Sequence, residues 1–267
     1  MKREEPHLVL PFFVEPKHLC HMEWTDEAIV LGTKRHGETS VLLEVMTRSH
    51  GRVMGLVKGG RSRRQQPVLQ PGNSLTVVWR ARLENHLGQM TTELLTSRAA
   101  RLMALPLGTY GMQFISELTR LLPERDAHPY LFQALKVIVD EFEEGDVAGE
   151  LMVRYELAML SELGYGLDLE QCAATGRTDD LIYVSPKSGR AVCAEAGKPY
   201  HDRMLPLPAF LRGKASSNRV SFEELSQGFE LTSFFLDRHV YRPLERNAPD
   251  LRKSFIAAVR KDLTLED

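Results

Sequence analysis

The sequence predicts an α+β, multidomain fold in which a small β-barrel is followed by a helical domain with an irregular insert. Three observations support this prediction. The 267 residues are enough for one large or two smaller domains. Short runs rich in β-branched residues fill the chain up to about residue 100, and apolar residues with helical spacing follow. The charge changes as well, from a net +5 over residues 22–101 to a net −7 over residues 102–267.

Composition excludes several classes of protein. With 43% hydrophobic and 26% charged residues, the chain is neither wholly disordered nor fibrous. No run approaches the roughly 20 apolar residues that a membrane span needs. The three cysteines, Cys20, Cys172 and Cys193, are too few for a disulfide framework, so we expect a reducing, cytoplasmic location.

Residues 1–21 are predicted to be an N-terminal extension that is disordered or loosely packed. Pro6, Pro11 and Pro16 interrupt this stretch without periodicity, and it lacks the features of a signal peptide. A regular strand pattern follows Met22 directly, so the folded part is expected to begin there.

Five short strands are predicted within residues 22–100. Their first residues are Ala28, Ser40, Arg52, Ser74 and Met90. No long helix separates the strands, which favours a small closed barrel. The five-stranded OB-fold is the commonest barrel of this kind that binds nucleic acid, and we therefore predict an OB-fold domain.

Apolar stripes with spacings of three and four residues predict a helical domain over residues 101–267. Pro129 stands where a first-turn proline would open a helix, and Gly145 is read as the end of that helix. Ser221 followed by Glu224 three residues later is a capping box that opens another helix.

An irregular insert interrupts the helical domain at about residues 164–218, a stretch rich in Gly, Pro, Ser and Asp. Residues 181–184 and 190–193 are predicted to pair in it as a short hairpin.

The carboxylate-free segment (residues 45–83) carries the strongest signal for a binding partner. It holds eight Lys and Arg residues and not one Asp or Glu. Such a field attracts polyanions, above all phosphate backbones, although a solvated basic loop without a ligand is an equal alternative.

Motifs for catalysis are missing from the sequence. No phosphate loop, dinucleotide-binding glycine motif, zinc-protease helix or nucleophile elbow occurs. His201 and Asp202 are neighbours, but adjacency in sequence does not make a catalytic pair. We therefore predict that the protein is not an enzyme.

Several blocks of the chain together resemble the RecO family of DNA repair and recombination mediators. The N-terminal blocks resemble that family's first domain, the middle blocks its helical signature, and the last block the knob that follows; they are residues 37–40, 47–53, 57–61, 154–157, 163–166 and 189–193. The resemblance covers about residues 22–245.

The resemblance implies a non-catalytic protein of the RecF pathway, located in the cytoplasm and associated with the nucleoid. It implies binding of single- and double-stranded DNA, annealing of complementary strands, and, with RecR, loading of RecA on strands coated with single-stranded DNA-binding protein (SSB). The alternatives are a protein-binding scaffold and an RNA-binding protein without annealing activity. A metal-dependent hydrolase is a further class to test.

Basic residues of the first domain are expected to contact DNA phosphates. One tryptophan of the same domain could stack a base. A tryptophan in the barrel core is an equal alternative for Trp79. The predicted set is Lys34, Arg35, Arg52, Lys58, Arg61, Arg63, Arg64, Trp79, Arg80 and Arg82.

The resemblance also implies a site for the C-terminal tail of SSB in the helical domain. Arg154, with Tyr155 and Met159, is the candidate, because a cation beside an apolar groove suits a peptide that ends in a phenylalanine and a carboxylate. An intradomain ion pair or a plain surface position is an equal alternative for Arg154.

Many family members carry a zinc site of two Cys-x-x-Cys pairs in the knob. Here Cys172 and Cys193 remain, while Thr175 and Ala196 stand where their partners would be. Structural zinc needs four ligands, and His201 would be only a third. We therefore expect no cofactor and a knob without zinc.

Overall fold

The computed structural model describes residues 22–83, 86–212 and 219–266, so the predicted extension over residues 1–21 lies outside the described residues. Five strands form a closed barrel in the order β1-β2-β3-β5-β4, which confirms the predicted OB-fold class. Only β3 and β5 are parallel neighbours. The strands are β1 Met22–His36, β2 Ser40–Thr47, β3 Gly51–Val57, β4 Ser74–Ala81 and β5 Gln89–Thr96.

The first strand closes the barrel because it pairs along two edges. Its residues 22–29 pair with β4, and its residues 28–36 pair with β2. The register with β2 shifts between Val30 and Gly32. Such an irregularity bends a strand and increases its twist, which lets one long strand serve both sides of a small barrel.

Seven α-helices and three short strands follow within the described residues. None of these helices is both long and apolar enough to span a bilayer. The helices are α1 Ala99–Ala104, α2 Pro106–Thr119, α3 Pro129–Ile138, α4 Gly145–Glu162, α5 Ala194–Gly197, α6 Phe222–Leu236 and α7 Asp250–Glu266. The strands are β6 Leu181–Val184, β7 Ala191–Cys193 and β8 Leu205–Pro206.

Local sequence signals mark most helix ends correctly. Pro129 is the first residue of α3, and both halves of the capping box at Ser221 and Glu224 are formed. Gly145 is the exception, because it opens α4 instead of ending α3. A Cβ there would lie 2.8 Å from the Asp262 carboxylate and 3.3 Å from the Val259 carbonyl of α7, so glycine leaves room for the close approach of that helix.

The insert is more regular than predicted. The expected hairpin of β6 and β7 forms, and β8 adds a third strand on the other edge of β6. The third strand comprises only Leu205 and Pro206, which is too short to show a period in the sequence.

The barrel and the helical domain share an apolar core at their junction. Ile29, Leu31 and Met46 of the barrel are buried in the same cluster as the inner face of α2. The Ser116 hydroxyl of α2 donates a hydrogen bond of 2.9 Å to the Leu31 carbonyl. These contacts hold the barrel in one orientation on the helices.

A nearly buried arginine strengthens the same junction. Arg98 follows β5 and is 5% exposed. Its guanidinium donates to both carboxylate oxygens of Asp140, at 2.5 and 2.9 Å, and to the Ser74 hydroxyl at 2.7 Å. The hydrogen bond from Arg98 lowers the pKa of Asp140. The arginine thereby links the barrel to the end of the α3 region.

A fully buried glutamate forms an ion pair in the core of the helical domain. Glu156 of α4 is fully buried and accepts hydrogen bonds of 2.6 and 3.1 Å from Arg252 of α7. Arg252 also donates to the Phe229 carbonyl of α6 at 2.7 Å. A buried charge is costly unless its partners are complete, so this pair depends on the packing of three helices.

Candidate nucleic-acid interface

The strand register places part of the predicted basic set on one outer row of the barrel. Lys34 lies opposite Leu42, Leu42 opposite Leu56, Leu56 opposite Gln89, and Gln89 opposite Arg80. Four steps of about 4.8 Å put Lys34 and Arg80 roughly 19 Å apart around the barrel. The leucines between them are half-buried. The row therefore consists of two half-buried leucines and one glutamine, with a cation at each end.

The loop after β3 supplies the next cations. Lys58, Arg63 and Arg64 are exposed. Arg61 is half-buried and donates through Nη1 to the carbonyls of Gly37 and Glu38 in the β1–β2 turn. Carbonyl acceptors orient a guanidinium without cancelling its charge, so this contact positions the loop and leaves Arg61 cationic.

A recess of about 220 Å³ lies between this loop and the end of β1. Arg35 and Arg61 line it together with polar side chains of Thr33, Gln66 and Gln70. Two guanidinium groups and several hydrogen-bonding groups around a small recess suit a phosphate or another small anion.

Most of these cations have no carboxylate partner. Of the nine predicted basic side chains, seven form no ion pair with any residue that the structure describes, and these unpaired barrel cations are Lys34, Arg35, Lys58, Arg61, Arg63, Arg64 and Arg82. Because their field is not neutralised locally, they are available to a polyanion.

Two residues of the predicted DNA-binding set already form ion pairs with carboxylates. Arg80 lies 2.8 Å from Glu23, which lowers the pKa of Glu23 through a hydrogen bond, but both side chains are largely exposed and a phosphate can compete. Arg52 is different, since its side chain is 11% exposed between Glu44 at 3.1 Å and Glu124 at 3.4 Å. We therefore leave Arg52 out of the proposed phosphate contacts and assign it to the domain junction.

Trp79 belongs to the barrel core. It is 2% exposed, and its Nε1 donates a hydrogen bond of 3.2 Å to the Leu87 carbonyl. The alternative interpretation of a core tryptophan is the one that the structure shows. Gly88, with a φ of +71°, is required there because a Cβ would lie 2.2 Å from the Trp79 ring.

Sequence reasoning missed Trp24 and His50, which lie beside Trp79. The predicted first strand began at Ala28, so Trp24 was not placed in the barrel. The structure extends β1 back to Met22 and puts Trp24 directly opposite Trp79. The available signal was the alternation of residues 22–28, which is weak because polar residues interrupt it.

The predicted residues for the SSB tail do not form one surface. Tyr155 is 1% exposed and shares a hydrogen bond of 3.0 Å with Thr119, and Met159 is fully buried. Burial raises the pKa of Tyr155 to about 12, as expected for a core phenol. Both side chains face the core of the helical domain, so the prediction that they contact a peptide is wrong.

Arg154 remains at the surface with intradomain partners. It pairs with Glu150 at 2.8 Å and donates to the Phe210 carbonyl at 2.6 Å. A groove of about 530 Å³ lies one helical turn further on, between α4 and the insert. Its apolar side chains are Leu157, Leu167, Leu169, Leu181 and Leu211, and Arg212 is at its edge.

The two cysteines of the insert lie side by side. Their Sγ atoms are 3.6 Å apart, and the Thr175 hydroxyl is 3.7 Å from the Cys193 Sγ. Burial raises the pKa of Cys172, but hydrogen bonds from the Thr175 side chain and the Cys193 amide outweigh it and lower the pKa to about 6.

These residues do not fit a structural zinc site. The described residues contain no group of three or more His, Cys, Asp and Glu side chains that could hold a metal ion. His201 is exposed and lies 2.8 Å from Asp202. Four ligands are needed for structural zinc, so the two thiols alone do not make one.

Two family models match the chain. The one described as "Recombination protein O N terminal" matches residues 22–98, and the one described as "Recombination protein O C terminal" matches residues 106–248. The two matched regions coincide with the barrel and with most of the helical part of the structure.

Similar proteins include several that are named DNA repair protein RecO. The protein of Mesorhizobium japonicum is 57% identical over 240 residues, which cover 90% of this chain and 94% of the relative. That of Sinorhizobium medicae is 56% identical over 242 residues, 91% and 96% of the two chains. That of Brucella abortus is 53% identical over 245 residues, 91% and 98% of the two chains.

Proposed function

The chain belongs to the RecO family of DNA repair and recombination proteins, and from this membership we propose that it binds single- and double-stranded DNA and anneals complementary strands. The observation that supports this proposal most is the group of seven unpaired barrel cations. A concentrated positive field on the barrel favours a polyanion over a partner of neutral charge.

Annealing requires two polyanions to approach each other. Cations that contact the phosphates reduce the repulsion between the strands and release condensed counterions, which favours association. The loop cations and the outer row of the barrel lie on neighbouring parts of one domain, so they can hold one strand while a second approaches. This role needs no bond to be broken, and we propose that the protein acts without catalysing covalent chemistry.

We propose that the protein also binds the C-terminal tail of SSB and acts with RecR to load RecA on SSB-coated strands. The groove beside α4 supports the first of these partners, because its leucines can receive an apolar side chain and Arg212 is close to its edge. Leu169→Glu is expected to weaken binding of a tail peptide without changing the affinity for DNA.

The insert is proposed to be held by packing instead of zinc. Cys172 and Cys193 are both buried among apolar residues of the helical core. Protein purified without chelator is expected to contain no stoichiometric zinc, and a metal assay that finds one zinc per chain would overturn this.

The decisive experiment is annealing of complementary oligonucleotides coated with SSB, with and without its tail. The protein is expected to accelerate annealing, and removal of the tail is expected to reduce this acceleration. Charge reversal at Arg63 and Arg64 should abolish it, whereas the matched reversal of Lys187 and Lys198, two exposed lysines of the insert, should not.

Intact DNA is expected after long incubation with the protein and divalent ions, because no bond cleavage is proposed. Cleavage of the strands would contradict the non-catalytic role. Equal rates with and without the protein would contradict annealing itself.

A further inference from the structure

A recess with aromatic walls opens where the first strand enters the barrel. Its volume is about 240 Å³. The strand pair that carries Trp24 and Trp79 also carries Glu23 opposite Arg80, one residue along the chain from these tryptophans, and the exposed Arg82 follows two residues later. The lining residues are Met22, Trp24, His50, Val53, Trp79 and Arg125.

The rings in this recess are arranged in parallel. The Trp24 and His50 rings are 4.0 Å apart with an angle of 8° between their planes, and the Trp24 and Trp79 rings are 5.5 Å apart with an angle of 14°. The guanidinium of Arg125 lies 5.4 Å from the centre of the Trp79 ring. Three nearly parallel rings, with a guanidinium beside the inner one, therefore line the recess.

Hydrogen bonds fix the outer ring. One carboxylate oxygen of Asp26 lies 3.0 Å from the His50 Nδ1 and accepts a bond of 2.7 Å from the Ser49 amide. The other oxygen accepts from the Glu27 amide at 2.8 Å. Asp26 is itself nearly buried, with 8% of its side chain exposed. The imidazole is therefore held in place before any ligand arrives.

The recess is open at its outer side. Met22 is 40% exposed, and 37% of the His50 side chain is exposed, while Trp79 forms the closed inner end. A cavity of about 150 Å³ accommodates benzene, so a recess of 240 Å³ has room for the larger ring of a nucleobase.

We propose that this recess receives one unpaired nucleobase of a strand whose phosphates lie on the neighbouring cations. The inference rests on the proposed DNA binding and adds a base-stacking site to it. Every base has a flat face, so aromatic walls take any base and confer a preference for unpaired strands, without sequence specificity. Arg80 and Arg82, one and three residues after Trp79 in the chain, are the cations that we assign to the phosphates next to the inserted base.

The two tryptophans of the chain both line this recess, so tryptophan emission reports on it alone. The experiment compares oligothymidylate with an abasic oligomer of the same length and the same number of phosphates, using the full chain. We expect oligothymidylate to quench the emission and to bind at least about fivefold more tightly, the lower end of stacking contributions per base.

His50→Ala should remove much of this difference between the two oligomers. His201→Ala is the matched control, since it deletes an exposed histidine beside an aspartate outside the barrel. Met22→Ala is a second test in case His50→Ala lowers the melting temperature. Both recess variants should bind the abasic oligomer as the unmodified chain does.

Equal affinity and equal emission with the two oligomers would overturn the stacking site while leaving DNA binding intact. An unchanged preference for oligothymidylate in both folded recess variants would also overturn it. Failure of both oligomers to bind would instead refute the proposed DNA-binding function.

Discussion

Replacing Arg63 and Arg64 with alanine is expected to weaken binding of single-stranded DNA and to flatten its dependence on salt. If each of the seven unpaired barrel cations contacts one phosphate, the logarithm of affinity falls with the logarithm of salt at a slope of about −5. Removing two contacts changes this slope to about −3.5. Between 50 and 200 mM salt, the loss of affinity is then about 900-fold for the unmodified chain and about 130-fold for the variant.

Fluorescence anisotropy of a labelled oligonucleotide across a salt series measures both slopes. The double variant Lys187→Ala and Lys198→Ala is the control, because it removes two exposed lysines from the insert without altering the barrel. Its slope should equal that of the unmodified chain. The reasoning is refuted if the two double variants flatten the slope equally, or if neither changes it.

Three further predictions concern stability. Glu156→Gln should lower the free energy of unfolding by about 3–5 kcal/mol in a denaturant titration, because Arg252 is left as an unpaired buried charge, and adding Arg252→Met should recover part of the loss. Asp140→Asn should lower the free energy of unfolding by about 1–2 kcal/mol, a value reduced because the Asp140 side chain is partly exposed. This difference between variant and unmodified chain should disappear as the pH falls below the ordinary range of a carboxyl pKa, because Asp140 itself then loses its charge. The melting temperature should rise from pH 6 to pH 9, because the thiol of Cys172 keeps its proton in the unfolded chain over this range and loses it in the folded one. Cys172→Ala should flatten this rise. A pH profile of the variant identical to that of the unmodified chain would contradict the lowered pKa.

Local sequence was sufficient for the type of most elements. Short runs rich in β-branched residues identified the strands from residue 40 onward, and the capping box at Ser221 identified the start of α6. These signals depend on neighbours within a few residues of each other, so the sequence displays them directly. The prediction that Gly145 ends a helix was wrong, because the contact that favours glycine there comes from α7, more than a hundred residues away.

Charge along the chain likewise identified the domain that carries the proposed interface. The missing carboxylates of residues 45–83 are visible without coordinates, and seven of the predicted phosphate-binding residues have no ion-pair partner in the described structure. Arg52 could not be separated from them by sequence, because Glu124, one of its two partners, follows α2 in the other domain.

The sequence by itself determined the two-part architecture, the basic character of the barrel and the helical character of the rest, since these follow from local periodicity and composition. Only the tertiary structure decided which side chains are accessible. It buried Tyr155, Met159 and Trp79, paired Arg52 across the domain junction, and brought Trp24 and His50 together. Accessibility depends on contacts between residues far apart in the chain, and no local pattern records those contacts.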